Sequence, residues 1–319
     1  MTRCHRAAAA LAAVLLLAAG CRRAPTREIA VVPKATSHLF WQSVQAGAVA
    51  AGRDFRVNIL WNGAASETDY SRQIEIVDSM IARHVNALAI SATDDRALVD
   101  PVERVIRAGI PVTIFDSAVN IDNFVSLIAT DNHAAGCTAA RQLAALLPGK
   151  SAIAMMMQKP GGVSTELRER GFEETIRQEF PRLEIVARQY GMGDRARSMG
   201  IAENILAAHP GLGGIFASSE ACSIGAIRAI RARGLSGRVK LITFDVSAIH
   251  VEALRDGTAD VMLVQDAFRI GYQAVKSLAM KLAGESPSRR LDIPARVVTK
   301  ANLNLPDVQA LLKPALAAK

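Results

Sequence analysis

Two aspartates, Asp116 and Asp245, end short apolar strands in what reads as one unit written twice. The first copy runs from Ala87-Leu88-Ala89-Ile90-Ser91 through a helix ending in Arg107-Ala108-Gly109 to Val112-Thr113-Ile114-Phe115 and Asp116. The second runs from Gly214-Ile215-Phe216-Ala217-Ser218 through a helix ending in Arg231-Ala232-Arg233-Gly234 to Leu241-Ile242-Thr243-Phe244 and Asp245. Serine and aspartate lie 25 residues apart in one copy and 27 in the other. An all-apolar strand belongs in a parallel sheet covered on both faces. A carboxylate at its C-terminal end opens into the crevice where such sheets bind ligands. Either acid alone could cap the next helix instead. Two at matched places point to two lobes, each presenting an acid to a shared cleft.

Other strand ends and helix starts carry a compatible set. Arg170, in Leu167-Arg168-Glu169-Arg170-Gly171-Phe172, offers a planar fork of donors. Gln265 ends its strand with both a donor and an acceptor. Phe40 and Trp41 follow the first strand and suit the apolar C–H face of a sugar ring, or else the core at a helix start. Paired acceptors and donors under an aromatic lid fit a neutral polyhydroxyl ligand, whereas a charged one would call for a dominant sign. A glycosidase using Asp116 and Asp245 as a carboxylate pair is the enzymatic alternative. Nothing near either acid predicts a raised pKa, and no nucleophile–base pair is visible, so no enzyme is expected. The six histidines are scattered and neither CxxC nor HExxH occurs, which argues against a metal site or other cofactor. Gly191-Met192-Gly193 lacks the strand–GxGxxG–helix setting of a phosphate loop.

The elements that must position these residues alternate from Glu28 onward. Strands are expected at 29–33, 57–61, 87–91, 112–115, 125–129, 151–157, 184–190, 213–217, 239–244, 260–264 and 296–299. Helices fall between them near 40–52, 68–84, 95–108, 133–147, 165–179, 194–208, 220–233, 248–256 and 267–283. In the second helix Tyr70, Ile74, Val77 and Ile81 form one apolar stripe. Alternation of this kind predicts an α/β fold of two doubly wound parallel-sheet lobes with right-handed crossovers. The expected partition is 28–131 with 266–294 in an N-terminal lobe and 132–265 with 295–301 in a C-terminal lobe, leaving 302–319 as a tail. The helix after Gln265 packs back on the first lobe, so the chain crosses two or three times. No Pro/Ser-rich linker occurs near 131, which suits a hinge of crossing strands.

The first twenty residues form a separate segment. Arg3 and Arg6 precede an apolar run from Ala7 to Ala19, and Leu17-Ala18-Ala19-Gly20 leads directly to Cys21. A short apolar run closing in small residues predicts a secretory signal over 1–20. The cysteine behind it resembles the lipobox of bacterial lipoproteins, which implies lipid attachment at Cys21 and a tether over 21–27. Arg22, Arg23 and Arg27 beside that anchor favour an anionic lipid surface. The composition, half apolar and 21% charged, is that of a globular chain. The net charge is +8, but the basic residues are spread among acids and aromatics are only 4%, which gives nucleic-acid binding little support. Cys137 and Cys222 sit in expected helices, spaced like small core residues, and are expected to be free buried thiols.

In their order and spacing, several short motifs resemble the ribose-type periplasmic sugar-binding proteins, which share their fold with the ligand domain of lactose-repressor-type regulators. They are Phe40-Trp41-Gln42-Ser43, Ala92-Thr93-Asp94, Gly109-Ile110-Pro111-Val112 leading to Asp116, Ala129-Thr130-Asp131-Asn132, Arg168-Glu169-Arg170-Gly171-Phe172, Ile215-Phe216-Ala217-Ser218, Phe244-Asp245 and Gln265. The resemblance covers about 28–300. It implies sugar hydroxyl bonds from Asp116, Arg170, Asp245 and Gln265 and ring stacking by Phe40 or Trp41. Ser117 stands where ribose binders tend to have arginine, Ser219 where an asparagine would bond a hydroxyl, and Gly193 near the place of a second stacking aromatic. Those departures leave room for a larger or differently substituted sugar. The implied function is capture of a sugar or polyol outside the cytoplasm by a monomeric lipoprotein, for an ABC-type permease or a membrane sensor. A secretion signal in place of a helix-turn-helix excludes the regulator.

Overall fold

The computed structural model describes residues 27–312; the expected leader and Cys21 anchor lie outside the described residues, as do residues 313–319. One sheet combines β1 (Glu28–Val32), β2 (Asn58–Trp61), β3 (Ala87–Ile90), β4 (Val112–Phe115), β5 (Ser126–Thr130) and β11 (Arg290–Ile293) in the order β11-β5-β4-β3-β1-β2. All its pairings are parallel. The other combines β6 (Ser151–Met157), β7 (Leu183–Tyr190), β8 (Leu212–Ala217), β9 (Lys240–Phe244), β10 (Val261–Val264) and β12 (Arg296–Val298) in the order β12-β10-β9-β8-β6-β7. Here only the edge strand β12 is antiparallel. β3, β4 and β10 are buried along their whole length, as strands covered on both faces must be.

Helices lie on both faces of each sheet. In the first lobe α1 (Leu39–Asp54) and α9 (Ala267–Leu282) share a core with Ile29, Val31 and Phe115. On the opposite face α2 (Tyr70–Ala82) and α3 (Val99–Arg107) pack against Ala30, Val32, Leu88 and Ile114. In the second lobe α4 (Asn132–Leu146) and α5 (Val163–Glu179) cover Ile153, Met155 and Phe244. The far face is covered by α6 (Arg195–Ala208), α7 (Glu220–Ala232) and α8 (Ala248–Asp256). The chain passes between sheets three times, after β5, after β10 and between β11 and β12.

Two elements depart from the sequence expectation. Strand β11 lies where none was expected, because Arg290-Leu291-Asp292-Ile293 is a charged edge strand with only Ile293 buried. A helix, α10 (Pro306–Leu312), lies in the expected tail and inserts Val308 into a cluster with Leu254, Met262, Val264, Val298 and Leu303.

Helix pairs touch backbone to backbone where glycine permits it. A Cβ on Gly47 of α1 would lie 1.9 Å from the Phe268 carbonyl oxygen of α9. One on Gly136 of α4 would lie 1.9 Å from the Arg168 carbonyl oxygen of α5. The second contact brings α5 close enough for its Arg168 guanidinium to bond Asn132 at the start of α4, with Nη2 2.7 Å from Oδ1.

Candidate functional site

Because parallel strands end on the same side, the residues just after β1, β4, β6, β8, β9 and β10 converge between the lobes. Lys34, Asp116, Gln158, Ser219, Asp245 and Gln265 occupy those places and line one cavity, with Phe40 and Trp41 from α1 and Arg168 from α5. In this closed arrangement the cavity holds about 40 Å³, space for a few waters.

The two aspartates are built alike. Each donates its backbone N–H to the neighbouring strand, Asp116 to the Ile128 carbonyl at 2.8 Å and Asp245 to that of Leu263 at 2.9 Å. Each has left-handed backbone, with φ of 57° and 71°. That region is uncommon outside glycine, with asparagine and aspartate its commonest other occupants. Neither caps the helix that follows it in the chain, where Asp131 and Ser247 hold the N-cap positions of α4 and α8. Asp116 accepts from Ser91 Oγ at 2.9 Å and faces Lys34 Nζ at 3.3 Å. Asp245 accepts from Gln265 Nε2 at 2.7 Å and from the Glu220 backbone N–H at 3.2 Å. Burial pushes the Asp245 carboxyl up, opposed by the Arg168 charge and the Gln265 bond. No feature of the sequence signals a raised Asp245; enclosure of the cleft by both lobes supplies the missing cause.

Arg170 is a correction. It is exposed and sits with Glu166, Glu173 and Glu174 on the outer face of α5. The cleft arginine is Arg168, because residues two apart on a helix point some 200° apart and only one can face inward. Arg168 shares its stripe with the buried Phe172 and Ile176, a periodicity legible in the sequence. Its guanidinium lies 3.3 Å over the Phe244 ring and donates to the Ser218 carbonyl and to Asn132. Burial pulls its pKa down, against the pull of Asp245 and Asp116.

The other expected residues divide. Phe40 lines the cavity and meets Trp41 edge to face, with ring centroids 4.8 Å apart. Trp41 is 2% exposed and donates its indole N–H to Glu67 at 2.9 Å. Ser219 lines the cavity but donates its hydroxyl to Gln158 Oε1. Ser117 is fully buried outside the cavity lining; its Oγ accepts the Ser164 backbone N–H of the other lobe at 3.4 Å. The space beside Gly193 is taken by Gln158, whose Nε2 would lie 3.2 Å from an added Cβ. Cys137 and Cys222 are both free; Cys222 is buried, which pushes its thiol up to about 11, and Cys137 is only partly so. Among the described residues no group of histidine, cysteine or carboxylate side chains could hold a metal ion.

Sequence reasoning missed the charged residues that join the lobes. Glu67, in the loop after β2, accepts from Trp41 and from Gln158 Nε2 across the cleft at 3.0 Å, and lies 3.5 Å from His38 Nδ1. Burial raises the Glu67 carboxyl, but His38, Lys34 and Trp41 outweigh it and hold it at about 2. Burial likewise lowers His38, and Glu67 overcomes it to leave the ring above its usual value. Lys34 Nζ reaches Ser164 Oγ at 3.0 Å, and Lys159 Nζ reaches the Thr93 carbonyl at 2.6 Å, both between lobes. Glu220 pairs one oxygen with Arg195 at 2.6 Å, while its other is buried without a partner. A lysine ending an apolar strand was a readable signal for Lys34; loop residues such as Glu67 gave none.

A family model described as a periplasmic binding protein domain matches residues 29–286. The D-ribose/D-allose-binding protein of Pseudomonas aeruginosa is 28% identical over 278 residues, covering 83% of this chain and 85% of that protein. The ribose import binding protein of Escherichia coli is 27% identical, covering 85% and 90%. Among solved structures, a carbohydrate transporter solute-binding protein from Agrobacterium radiobacter in complex with D-arabinose superposes with a TM-score of 0.88 at 32% identity, covering 91% of this chain and 99% of that one. An ABC transporter solute-binding protein from Agrobacterium vitis with bound D-fucose gives 0.87 at 33%, covering 90% and 100%. All four are named as binding proteins rather than enzymes. Two parallel-sheet lobes meeting at a ring of strand-end polar residues, and a family match across most of its length, place this chain in the periplasmic binding protein family.

Proposed function

We propose that the chain captures a sugar or polyol between its lobes and presents it to an ABC-type importer, held at the membrane through a lipidated Cys21. The observation that carries this reading is the cavity wall, where Asp116, Arg168, Asp245 and Gln265 offer acceptors and donors beside the Phe40 ring. Relatives named for ribose, allose, arabinose and fucose support a pentose or hexose as the ligand class. The cavity admits a ring only when the lobes part, so binding couples to hinge opening and closure around residues 131, 265 and 294. Ligand bonds to both lobes then favour the closed state. In this partition 28–131 with 266–294 makes one lobe, and 132–265 with 295–301 the other.

The test is a thermal-shift screen of pentoses, hexoses, deoxy sugars and polyols, followed by calorimetry on the best ligand. At least one sugar should raise the melting temperature, and Asp245→Asn should abolish the rise while preserving the circular dichroism spectrum. Unchanged affinity in Asp245→Asn would remove that residue from the site. A screen without a single hit would remove the function.

A further inference from the structure

A second cavity, of about 420 Å³, adjoins the polar cleft and shares Phe40, Asp245 and Gln265 with it. Its other walls are of a different character. Val246 and Val264 lie beside the strand ends, Ala267 and Phe268 begin α9, Ala310 and Leu311 come from α10, and Ser43, Asp266 and Asp307 complete the wall. The α10 wall is fixed in place: Val308 is fully buried in the cluster that includes Val264 and Val298, and Asp307 pairs with Arg296 at 2.8 Å. A mostly apolar chamber therefore opens off a cleft walled by charged groups, at the three residues Phe40, Asp245 and Gln265 that face both.

We propose that this chamber receives an apolar substituent carried by the sugar, so that the protein takes alkyl or aryl glycosides with the ring in the cleft and the aglycone against Phe268, Ala310 and Leu311. Two features favour this occupant. The chamber and the cleft share walls, so one ligand touching Asp245 and Gln265 reaches both. The chamber is also roughly ten times the volume of the closed cleft, and the room expected beside Gly193 is already filled by Gln158. Burial of each methylene is worth about 0.8 kcal/mol, or about fourfold in affinity. This inference rests on the sugar-binding reading above.

Calorimetry on the full mature chain would compare free D-ribose, D-allose, D-arabinose and D-fucose with their methyl, butyl and phenyl glycosides in both anomers. For the sugar that binds, one anomer of the butyl or phenyl glycoside should bind at least about tenfold more tightly than the methyl glycoside. Ala310→Trp, which fills the chamber from an exposed position on α10, should erase that gain and leave the free sugar's affinity unchanged. Free sugar binding with both anomers of the bulky glycosides excluded would overturn the chamber and leave the sugar-binding reading intact. A gain that survives Ala310→Trp would overturn it too. A gain seen only in a chain ending at Leu312 would assign the chamber to the chain's own residues 313–319. Absence of binding by every free and substituted sugar would overturn both readings.

Discussion

Replacing Glu67 by glutamine keeps the side chain's shape and removes its charge, which isolates the electrostatics of the joint between lobes. In the folded protein the carboxyl sits at about 2, against an ordinary value of 4.5, because His38, Lys34 and Trp41 outweigh the burial that raises it. The difference corresponds to about 3 kcal/mol of stability at neutral pH. The pKa of Glu67 is depressed in the folded state, so this stability is complete above about pH 4.5 and is lost as pH falls toward 2. His38 shares the same interaction, so the energy is counted once. Glu67→Gln should therefore lower the melting temperature by roughly 6–12 °C at pH 7, at about 2–4 °C per kcal/mol for domains of 150–250 residues. At pH 3 the gap should shrink to about two fifths of that, because wild type has lost more than half of this contribution. Fluorescence-detected melting at pH 7, 5 and 3 and constant ionic strength measures it. An equal gap at all three pH values, or none at pH 7, would refute a charge held by the His38–Lys34–Trp41 cluster.

Three further outcomes follow from the same geometry. Arg168→Met should eliminate sugar binding in calorimetry, whereas Arg170→Ala on the outer face should leave affinity within twofold. Gly136→Val places a Cβ 1.9 Å from the Arg168 carbonyl oxygen and should destabilise the second lobe by more than about 3 kcal/mol in chemical denaturation, since overpacking this close forces backbone apart. Glu169, pushed up to about 7 by burial and with one oxygen unpartnered, contributes in the opposite sense to Glu67. Its folded value is raised, so stability is full below about pH 4.5 and falls as pH rises to 7, by about 3 kcal/mol. Chemical denaturation between pH 5 and 8 should show a larger loss in wild type than in Glu169→Gln, whose remaining loss comes from groups such as His38 that folding also raises.

The architecture was legible because burial on both faces leaves strands such as Ala87–Ile90 and Val261–Val264 wholly apolar, and their ends are then fixed to within a residue. That same precision located Asp116, Asp245 and Gln265 beside the cleft. Strand β11 was not legible, since an edge strand with charged Arg290 and Asp292 carries neither an apolar run nor clean alternation. The choice between Arg168 and Arg170 turned on which helix face meets the second sheet, and the buried Phe172 and Ile176 carried the answer. Glu67 acquires its role from His38, Trp41 and, in the other lobe, Gln158, partners 29, 26 and 91 residues distant in the chain. No local pattern encodes a meeting of that kind.

The left-handed backbone at Asp116 and Asp245 also constrains how this family member can diverge. Among the residues that one base change reaches from aspartate, glycine accepts such a backbone freely, and asparagine and histidine more readily than the rest. Alanine, valine or tyrosine would strain the chain as well as alter the cleft. Inherited changes of ligand preference should therefore accumulate at walls without that restriction, such as Ser219, Gln158 and Glu67, while the two aspartates persist in the lineage as the fixed points around which preference drifts.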